Sequence, residues 1–181
     1  MIASILRKLT LPFWLVLLTA CSPAFDWREV RNEEFGYLIM MPARPTTVTR
    51  DINLDGAIIR MSMTATEVDK LTFAVGSATI PAPNNPQTAL ESMKTALIRN
   101  IRGTIIEEST FTMPHTINGQ KRLLAVLYVH AKGTAIDNQP RTLQARFVAQ
   151  GNRVYQIVMT GPEEKMTRDV SDIYFSSLQL N

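Results

Sequence analysis

The chain has 181 residues, with 19 Lys or Arg, 16 Asp or Glu and a formal net charge of +3 at pH 7. Outside the N-terminal segment no cluster of basic residues is longer than a pair, so the concentrated positive face that nucleic-acid binding needs is excluded. A single cysteine excludes a disulfide framework. The fold must therefore rest on buried apolar side chains, and the length suffices for one such domain.

The N-terminal segment has the layout of a bacterial lipoprotein signal. The positive pair Arg7-Lys8 precedes an apolar run that is shorter than the ~20 residues needed to span a bilayer and contains Pro12. Small residues then precede the single cysteine, as in a lipobox. The lipobox residues are Leu18, Thr19, Ala20 and Cys21. We therefore predict a signal peptide over 1–20 and acylation of the Cys21 thiol, with Cys21 as the new N-terminus.

This signal predicts both the domain organisation and the location of the protein. Residues 21–26 are expected to form an acylated tether, and 27–181 a single domain. Ser22 stands where inner-membrane lipoproteins commonly carry Asp, so a lipid anchor at the periplasmic face of the outer membrane is predicted for a bacterium with two membranes. Two alternatives stay open: cleavage after Ala24, which releases a soluble periplasmic protein, and an uncleaved signal that acts as the anchor.

The first half of the domain has the pattern of strands joined by turns. Strands are predicted over 35–42, 46–53, 57–68 and 71–80. Leu54-Asp55-Gly56 is a hairpin turn signal between the second and third of them. In the third strand, apolar side chains from Ile59 to Ala65 alternate with polar ones from Arg60 to Thr64. This alternation predicts one buried and one solvent-exposed face.

A helix is predicted over about 86–102. Asn85 is a good N-cap, and Pro86 fits the first helical position, where its missing N–H costs nothing. Gly103 is expected to supply a left-handed stop. Apolar residues recur at helical spacing: Leu90, Met93, Leu97 and Ile101.

Strands resume after this helix, over 104–113, 120–131, 141–149 and 153–160. Asn118-Gly119 and Gly151-Asn152 are the turn signals between them, and Gly161-Pro162 ends the last strand. Glu163 and Glu164 are expected to open a second helix over about 163–176, since negative charge is favourable at a helix N-terminus.

This order of elements predicts an α+β fold. Hairpin turns join antiparallel neighbours, so the strands are expected to form one twisted antiparallel sheet of about six to eight strands. The two amphipathic helices are expected to pack together on one face of that sheet.

Three segments resemble sequence blocks of small exported bacterial proteins that look like PsbP, the photosystem extrinsic protein, in architecture. They are an aromatic-Gly-apolar-Pro-x-x-Pro block over 35–45, a late strand with its Gly-Pro over 151–162, and a closing block over 174–178. Ala43 replaces a frequent Gly in the first block, and Leu178 replaces an aromatic residue in the last. The resemblance implies a PsbP-like domain over roughly 27–181 that serves as a binding or scaffolding module, and it implies no particular chemistry.

The residues with catalytic or metal-binding potential form no recognisable constellation. His115 and His130 have no Glu or Asp at metal-ligand spacing, so they are predicted to be surface histidines. Glu107 and Glu108 are adjacent on a strand and point to opposite faces, which excludes an acid–base pair. Ser176-Ser177 lacks a nucleophile elbow and is expected to end a helix. We therefore predict no catalytic residue, no cofactor and no metal.

Three weaker features are candidates for a binding surface. Methionine can line an adaptable groove, although it more often fills gaps in a core. The stiff loop 81–86 suits contact with a partner, or it simply leads into the helix. The strand arginines form a cationic patch for an acidic partner or lipid headgroup only if Arg141 and Arg153 share a sheet face, the alternative being a solvated, salt-bridged face. The strand arginines are Arg60, Arg141, Arg146 and Arg153.

Together these features predict a membrane-anchored envelope lipoprotein that acts as a non-catalytic binding or scaffolding module. Its expected partners are the membrane, through the acyl chains, and an envelope protein or small ligand. Three alternatives stay open: a soluble periplasmic ligand-binding protein, a purely structural spacer, and a small exported hydrolase-like enzyme. The enzyme requires His115 or His130 beside a carboxylate in a cleft.

Overall fold

The computed structural model describes residues 24–54, 56–117, 120–136 and 138–181. The predicted signal peptide, the lipobox through Cys21, and the turn residues Asp55 and Asn118-Gly119 lie outside the described residues. No helix within the described ranges is long and apolar enough to cross a membrane.

The described residues form ten strands and two α-helices. Their bounds are β1 Arg28–Asn32, β2 Tyr37–Met41, β3 Thr46–Leu54, β4 Ala57–Val68, β5 Leu71–Thr79, α1 Pro86–Asn100, β6 Thr104–Ile117, β7 Gln120–Thr134, β8 Pro140–Gln150, β9 Arg153–Gly161, α2 Arg168–Ser176 and β10 Gln179–Leu180. Seven strands form one antiparallel sheet in the order β3-β4-β5-β9-β8-β7-β6, and β1, β2 and β10 form a small second sheet. The predicted α+β class and the number of strands in the main sheet are confirmed.

The first helix begins where the sequence predicts. The Asn85 side chain accepts a hydrogen bond from the Gln87 N–H at 2.8 Å, and Pro86 follows as the first helical residue. The helix ends at Asn100, however, and Arg102 rather than Gly103 takes the left-handed conformation, with φ +46°. Gly103 donates to the Ile98 carbonyl at 2.9 Å and Arg102 to the Arg99 carbonyl at 3.0 Å, which is a Schellman motif with Arg102 as its left-handed residue.

The second helix begins later than predicted. Glu163–Lys165 form a single 3-10 turn, and α2 starts at Arg168 after Thr167, whose hydroxyl accepts from the Val170 N–H at 3.4 Å. A threonine N-cap favours a helix start at this point. Its hydroxyl accepts from an N–H that would otherwise need a backbone carbonyl in a preceding helical turn. Glu163 pairs with Lys132 at 2.7 Å instead of opening the helix.

The two helices lie on opposite faces of the main sheet, so the prediction that they share one face is wrong. One buried cluster joins Ile157 of β9 to Tyr174 of α2 and to the small sheet, and the other joins Val158 to Leu90 of α1. Consecutive residues of a strand point to opposite faces, so the alternation of Ile157 and Val158 separates the two clusters. Strands β5 and β9 are buried on almost every residue because both of their faces are covered.

Part of the polar face of β4 is buried, although its alternation predicted an exposed face; Arg60 is exposed as predicted. Ser62 and Thr64 expose only 3% and 2% of their surface. The small sheet lies over Thr64, whose Oγ1 accepts a hydrogen bond of 3.0 Å from the Tyr37 hydroxyl. The period of 2 therefore reports which side chains are polar, and it does not report which are exposed to solvent.

Candidate ligand-binding cleft

Polar side chains cross three strands of the main sheet beneath α2. In the pairing register, Ser109 of β6 lies opposite Tyr128 of β7, and Tyr128 lies opposite Arg146 of β8. Two residues further along, the corresponding row is Glu107, His130 and Gln144. These residues share the face of Val126 and Val148, whose cluster contains the apolar side chains of α2.

A cleft of about 460 Å³ opens between this polar surface and α2. The sheet contributes Ser109, Phe111, Tyr128, Gln144 and Arg146 to its lining. The helix and the segment before it contribute Met166, Ser171, Asp172 and Phe175. We call this feature the Arg146 cleft, after the partly buried cation in its lining.

The Arg146 guanidinium is held in place by two rings and one carbonyl. Its central carbon lies 5.1 Å from the centroid of the Phe111 ring and 4.9 Å from that of the Phe175 ring. Nη1 donates a hydrogen bond of 2.9 Å to the Phe175 carbonyl. Cation–π contacts on partly desolvated groups are worth about 1–2 kcal/mol each, so the orientation of the guanidinium is fixed before any ligand arrives.

The remaining edge of this guanidinium is unpaired within the described residues. Arg146 Nε is buried without a hydrogen-bond partner, and Nη2 donates to none of the described residues. A buried N–H without an acceptor costs about 1–3 kcal/mol. Nε and Nη2 present two parallel N–H groups, which is the edge that arginine uses to bind carboxylates and phosphates with two hydrogen bonds.

Burial lowers the pKa of the Arg146 guanidinium from its ordinary value, and the nearby Tyr128 and Asp172 partly oppose that shift. Burial also raises the pKa of the Tyr128 phenol, with a further rise from the charge of Glu107. Arginine remains charged in proteins and a tyrosine with a raised pKa remains neutral at pH 7. The cleft therefore combines a fixed cation with a neutral hydroxyl.

Gln144 is oriented by α2. The Ser171 hydroxyl donates to Gln144 Oε1 at 2.7 Å, so the oxygen of this amide is occupied and its NH₂ group remains as a donor. Asp172 lies beside Arg168, with 3.4 Å between the Oδ2 and Nε atoms. Arg146 and Gln144 therefore offer N–H donors to the cleft, and the carboxylate of Asp172 already has a cationic neighbour.

The structure does not combine the other strand arginines into the predicted patch. Arg153 of β9 lies opposite Gln150 of β8 and shares its face. Arg141 lies nine residues before Gln150 on β8, opposite Gly133 of β7. An odd separation along a strand places two side chains on opposite faces. The hypothesis of a shared face for Arg141 and Arg153 is therefore wrong.

The two histidines are not both on the surface. His115 exposes only 6% of its surface, and His130 is half-buried. His130 pairs in register with Glu107, yet neither lines the Arg146 cleft. Within the described ranges, no three His, Cys, Asp or Glu side chains are grouped as metal ligands.

Glu107 and Glu108 point to opposite faces of the sheet, as predicted. Glu108 Oε1 accepts from Lys94 of α1 at 3.1 Å, while Glu107 lies on the face of Tyr128. Ser177 ends α2, also as predicted: its hydroxyl donates to the Tyr174 carbonyl at 2.7 Å and accepts from the Met40 N–H at 2.9 Å.

The remaining candidate surfaces have simpler roles. The exposed loop 81–85 leads directly into α1 and includes its N-cap, Asn85. A smaller cavity of about 230 Å³ lies beside this loop, and its lining includes Ile59 and Ile80. Four methionines fill the core, the more common of the two uses weighed from the sequence: Met41, Met61, Met93 and Met159 are buried. Among the described methionines, Met166 lines the Arg146 cleft.

No protein-family model and no curated protein matches the chain. Among solved structures, the chain is similar to the solution structure of cyanobacterial PsbP (CyanoP) from Synechocystis sp. PCC 6803, with a TM-score of 0.54 and 11% identity over 90% of this chain and 96% of that one. The fold is PsbP-like. At this identity the likeness establishes the fold alone. It confirms the architectural part of the resemblance inferred from the sequence, and membership of a lipoprotein family stays a prediction.

Sequence reasoning included Arg146 among the strand arginines but did not predict its cleft. A usable signal was present: Gln144 and Arg146 alternate with Leu143, Ala145 and Phe147 in a strand that otherwise reads as core. The two aromatic contacts of the guanidinium carry no such signal, since Phe111 and Phe175 are far from Arg146 in the sequence.

Proposed function

We propose that the protein is a non-catalytic binding module of the bacterial cell envelope, anchored to the outer membrane by acyl chains on Cys21, and that the Arg146 cleft holds an anionic group of its ligand. The observation that carries the ligand site is the buried, unpaired Nε–H of Arg146 beside an open cleft. An anion there would satisfy the two free N–H groups and neutralise a desolvated charge.

A binding role fits the hydrogen bonds of the cleft better than a hydrolytic one. Ser171 donates its hydroxyl proton to the amide oxygen of Gln144, which cannot act as a base. His130 and Glu107 are neighbours across the strands but lie outside the lining, and His130 Nε2 is buried without a partner. The catalytic alternative needs such a pair to reach a substrate in the cleft.

The anchor would hold the domain close to the bilayer. Phe25, four residues after Cys21, stacks on Trp27 with 5.8 Å between ring centroids and contacts Phe73 edge-on, so it is held on the domain. A fully extended chain spans at most about 3.5 Å per residue, which limits the gap to roughly 14 Å. A ligand of this module is therefore expected at or near the membrane surface.

Replacement of the lipidated cysteine tests the anchor. We expect the wild-type chain to begin at Cys21, to carry a diacylglyceryl mass increment, and to enter the detergent phase on phase partitioning. Cys21→Ser should lose both properties because serine has no thiol to acylate, while Ser22→Ala, its neighbour, should keep them. Intact-mass spectrometry and partitioning check this. A soluble wild-type chain beginning at Phe25 would show cleavage after Ala24 and no anchor.

The ligand site is tested on the full chain in detergent micelles by the side-chain Nε–H NMR signal of Arg146. We expect acetate or inorganic phosphate to shift this signal, because either anion can accept from Nε. Arg146→Gln should remove the response of neighbouring backbone signals, and Arg168→Gln, on the rim, should weaken it only slightly. If neither anion moves the signals of the cleft, the binding site is not the Arg146 cleft.

A further inference from the structure

The charges of the Arg146 cleft define the charge of the ligand that it fits. Its charged lining residues are Arg146, Arg168 and Asp172, a net charge of +1. Glu107 adds a negative charge close enough to raise the pKa of Tyr128. The charges of the lining alone are balanced by a single negative charge on the ligand. Glu107, outside the lining, disfavours any further negative charge, such as that of a phosphate dianion in this partly desolvated cleft.

The protein leaves one edge of the guanidinium for a ligand. The rings of Phe111 and Phe175 both pack against the guanidinium and the Phe175 carbonyl occupies Nη1, so the Nε–Nη2 edge is the one without a partner among the described residues. Two parallel N–H groups match the two coplanar oxygens of a carboxylate. The Tyr128 hydroxyl and the Gln144 NH₂ group line the same cleft as further donors.

The rim of the cleft is apolar on one side. Phe111 exposes 38% of its surface although it is a large aromatic residue, and Met166 lies half-buried beside the cleft. Exposed aromatic and thioether groups next to a few convergent polar groups are typical of sites for small organic ligands. The body of the ligand therefore has an apolar surface to contact beyond its charged end.

Resting on the proposed function, we infer that the Arg146 cleft binds an organic monocarboxylate with an apolar body. The carboxylate lies side-on against Nε and Nη2 of Arg146, with Tyr128 and Gln144 donating to its remaining lone pairs. Phe111 and Met166 contact the apolar body. The cleft thus selects its ligand by three properties: a single negative charge, a planar charged group, and an apolar body attached to that group.

Three matched small molecules test this assignment on the full chain in detergent micelles at pH 7. Benzoate is the probe, benzamide is its neutral counterpart of the same shape, and inorganic phosphate is the anion without an apolar body. We expect benzoate to bind at least about tenfold more tightly than either of the others, measured by calorimetry and by the Arg146 Nε–H signal. Equal or tighter binding of phosphate, or equal binding of benzamide, would overturn the inference.

A pair of identical substitutions on β8 locates the site. Gln144→Glu keeps an oxygen to accept from Ser171 but replaces the NH₂ donor by a negative oxygen, so benzoate affinity should fall by about tenfold or more. Gln150→Glu makes the same change six residues along the strand, outside the cleft, and should leave the affinity within about twofold. Thermal unfolding by circular dichroism verifies that both variants fold, and equal affinities of the two variants would contradict the assignment.

The two proposals fail in different ways. If phosphate moves the Arg146 Nε–H signal and benzoate does not, the cleft is an anion site but not a monocarboxylate site. If no anion moves the signals of the cleft, the proposed binding function fails as well. Benzoate binding that survives both Arg146→Gln and Gln144→Glu would place the carboxylate elsewhere and overturn the inference alone.

Discussion

Gly133→Ala is expected to lower the free energy of unfolding by about 3 kcal/mol, the upper part of the range for overpacking. A Cβ at Gly133 would overlap the Ile101 carbonyl oxygen and would lie 2.7 Å from the Cα of Gly103. These are backbone atoms, so they cannot move aside as a flexible side chain does. The Thr134 N–H also donates to the Ile101 carbonyl at 2.6 Å, so the turn after α1 is fixed against β7 at this point.

Gly103→Ala is the matched control for this substitution. Its Cβ would meet the side chain of Ile101 at 2.8 Å and the Lys132 carbonyl at 3.2 Å, and a side chain can adjust at lower cost than backbone. Urea unfolding of both variants, followed by circular dichroism, should show the larger loss for Gly133→Ala. A loss below about 1 kcal/mol for Gly133→Ala would contradict the close packing of this turn.

The local elements of this protein were predictable because their signals are local. The N-cap Asn85 followed by Pro86 determines where α1 begins, and the paired turn residues Gly151-Asn152 determine where β8 passes into β9. In each case the physical cause, a cap or a backbone conformation favoured by particular residues, is contained within a few positions.

The small sheet could not be predicted because it depends on contacts between distant parts of the chain. β10 has only two residues, and it pairs with Leu38 and Tyr37 more than 140 positions earlier. β1 has Val30 as its one apolar residue, so it lacks a strand pattern of its own. Where this sheet packs on β4, Thr64 is buried and bonded to Tyr37, although its own sequence is typical of an exposed face.

The Arg146 cleft is partly predictable from the sequence. The alternation of Gln144 and Arg146 on β8 and of Tyr128 and His130 on β7 is visible in the sequence, but only the pairing register brings Tyr128 opposite Arg146. The register depends on the whole hairpin, and the ring of Phe175 arrives from α2 through tertiary packing. The sequence pattern indicates the polar surface, but it does not indicate the aromatic rings that orient the cation of that surface.

Tyr174→Ala is expected to lower the free energy of unfolding by about 4 kcal/mol, as for other large-to-small changes in a core. Tyr174 is fully buried, its ring lies edge-on to Phe73 with 5.1 Å between centroids, and its hydroxyl donates to the Ala74 carbonyl at 2.9 Å. Tyr174→Phe removes only the hydroxyl and should cost about 1 kcal/mol. Urea unfolding of the full chain measures both losses, and similar values for the two variants would show that the hydroxyl, rather than the ring, stabilises the contact of α2 with the sheet.

The same pair of variants connects this contact with the cleft. Ser171 and Phe175, which orient Gln144 and Arg146, lie on the helix that Tyr174 attaches to the sheet. Under conditions where both variants remain folded, Tyr174→Ala should therefore weaken benzoate binding, while Tyr174→Phe should leave it nearly unchanged because the ring still positions the helix. Unchanged affinity in a folded Tyr174→Ala variant would show that the cleft does not depend on the packing of α2.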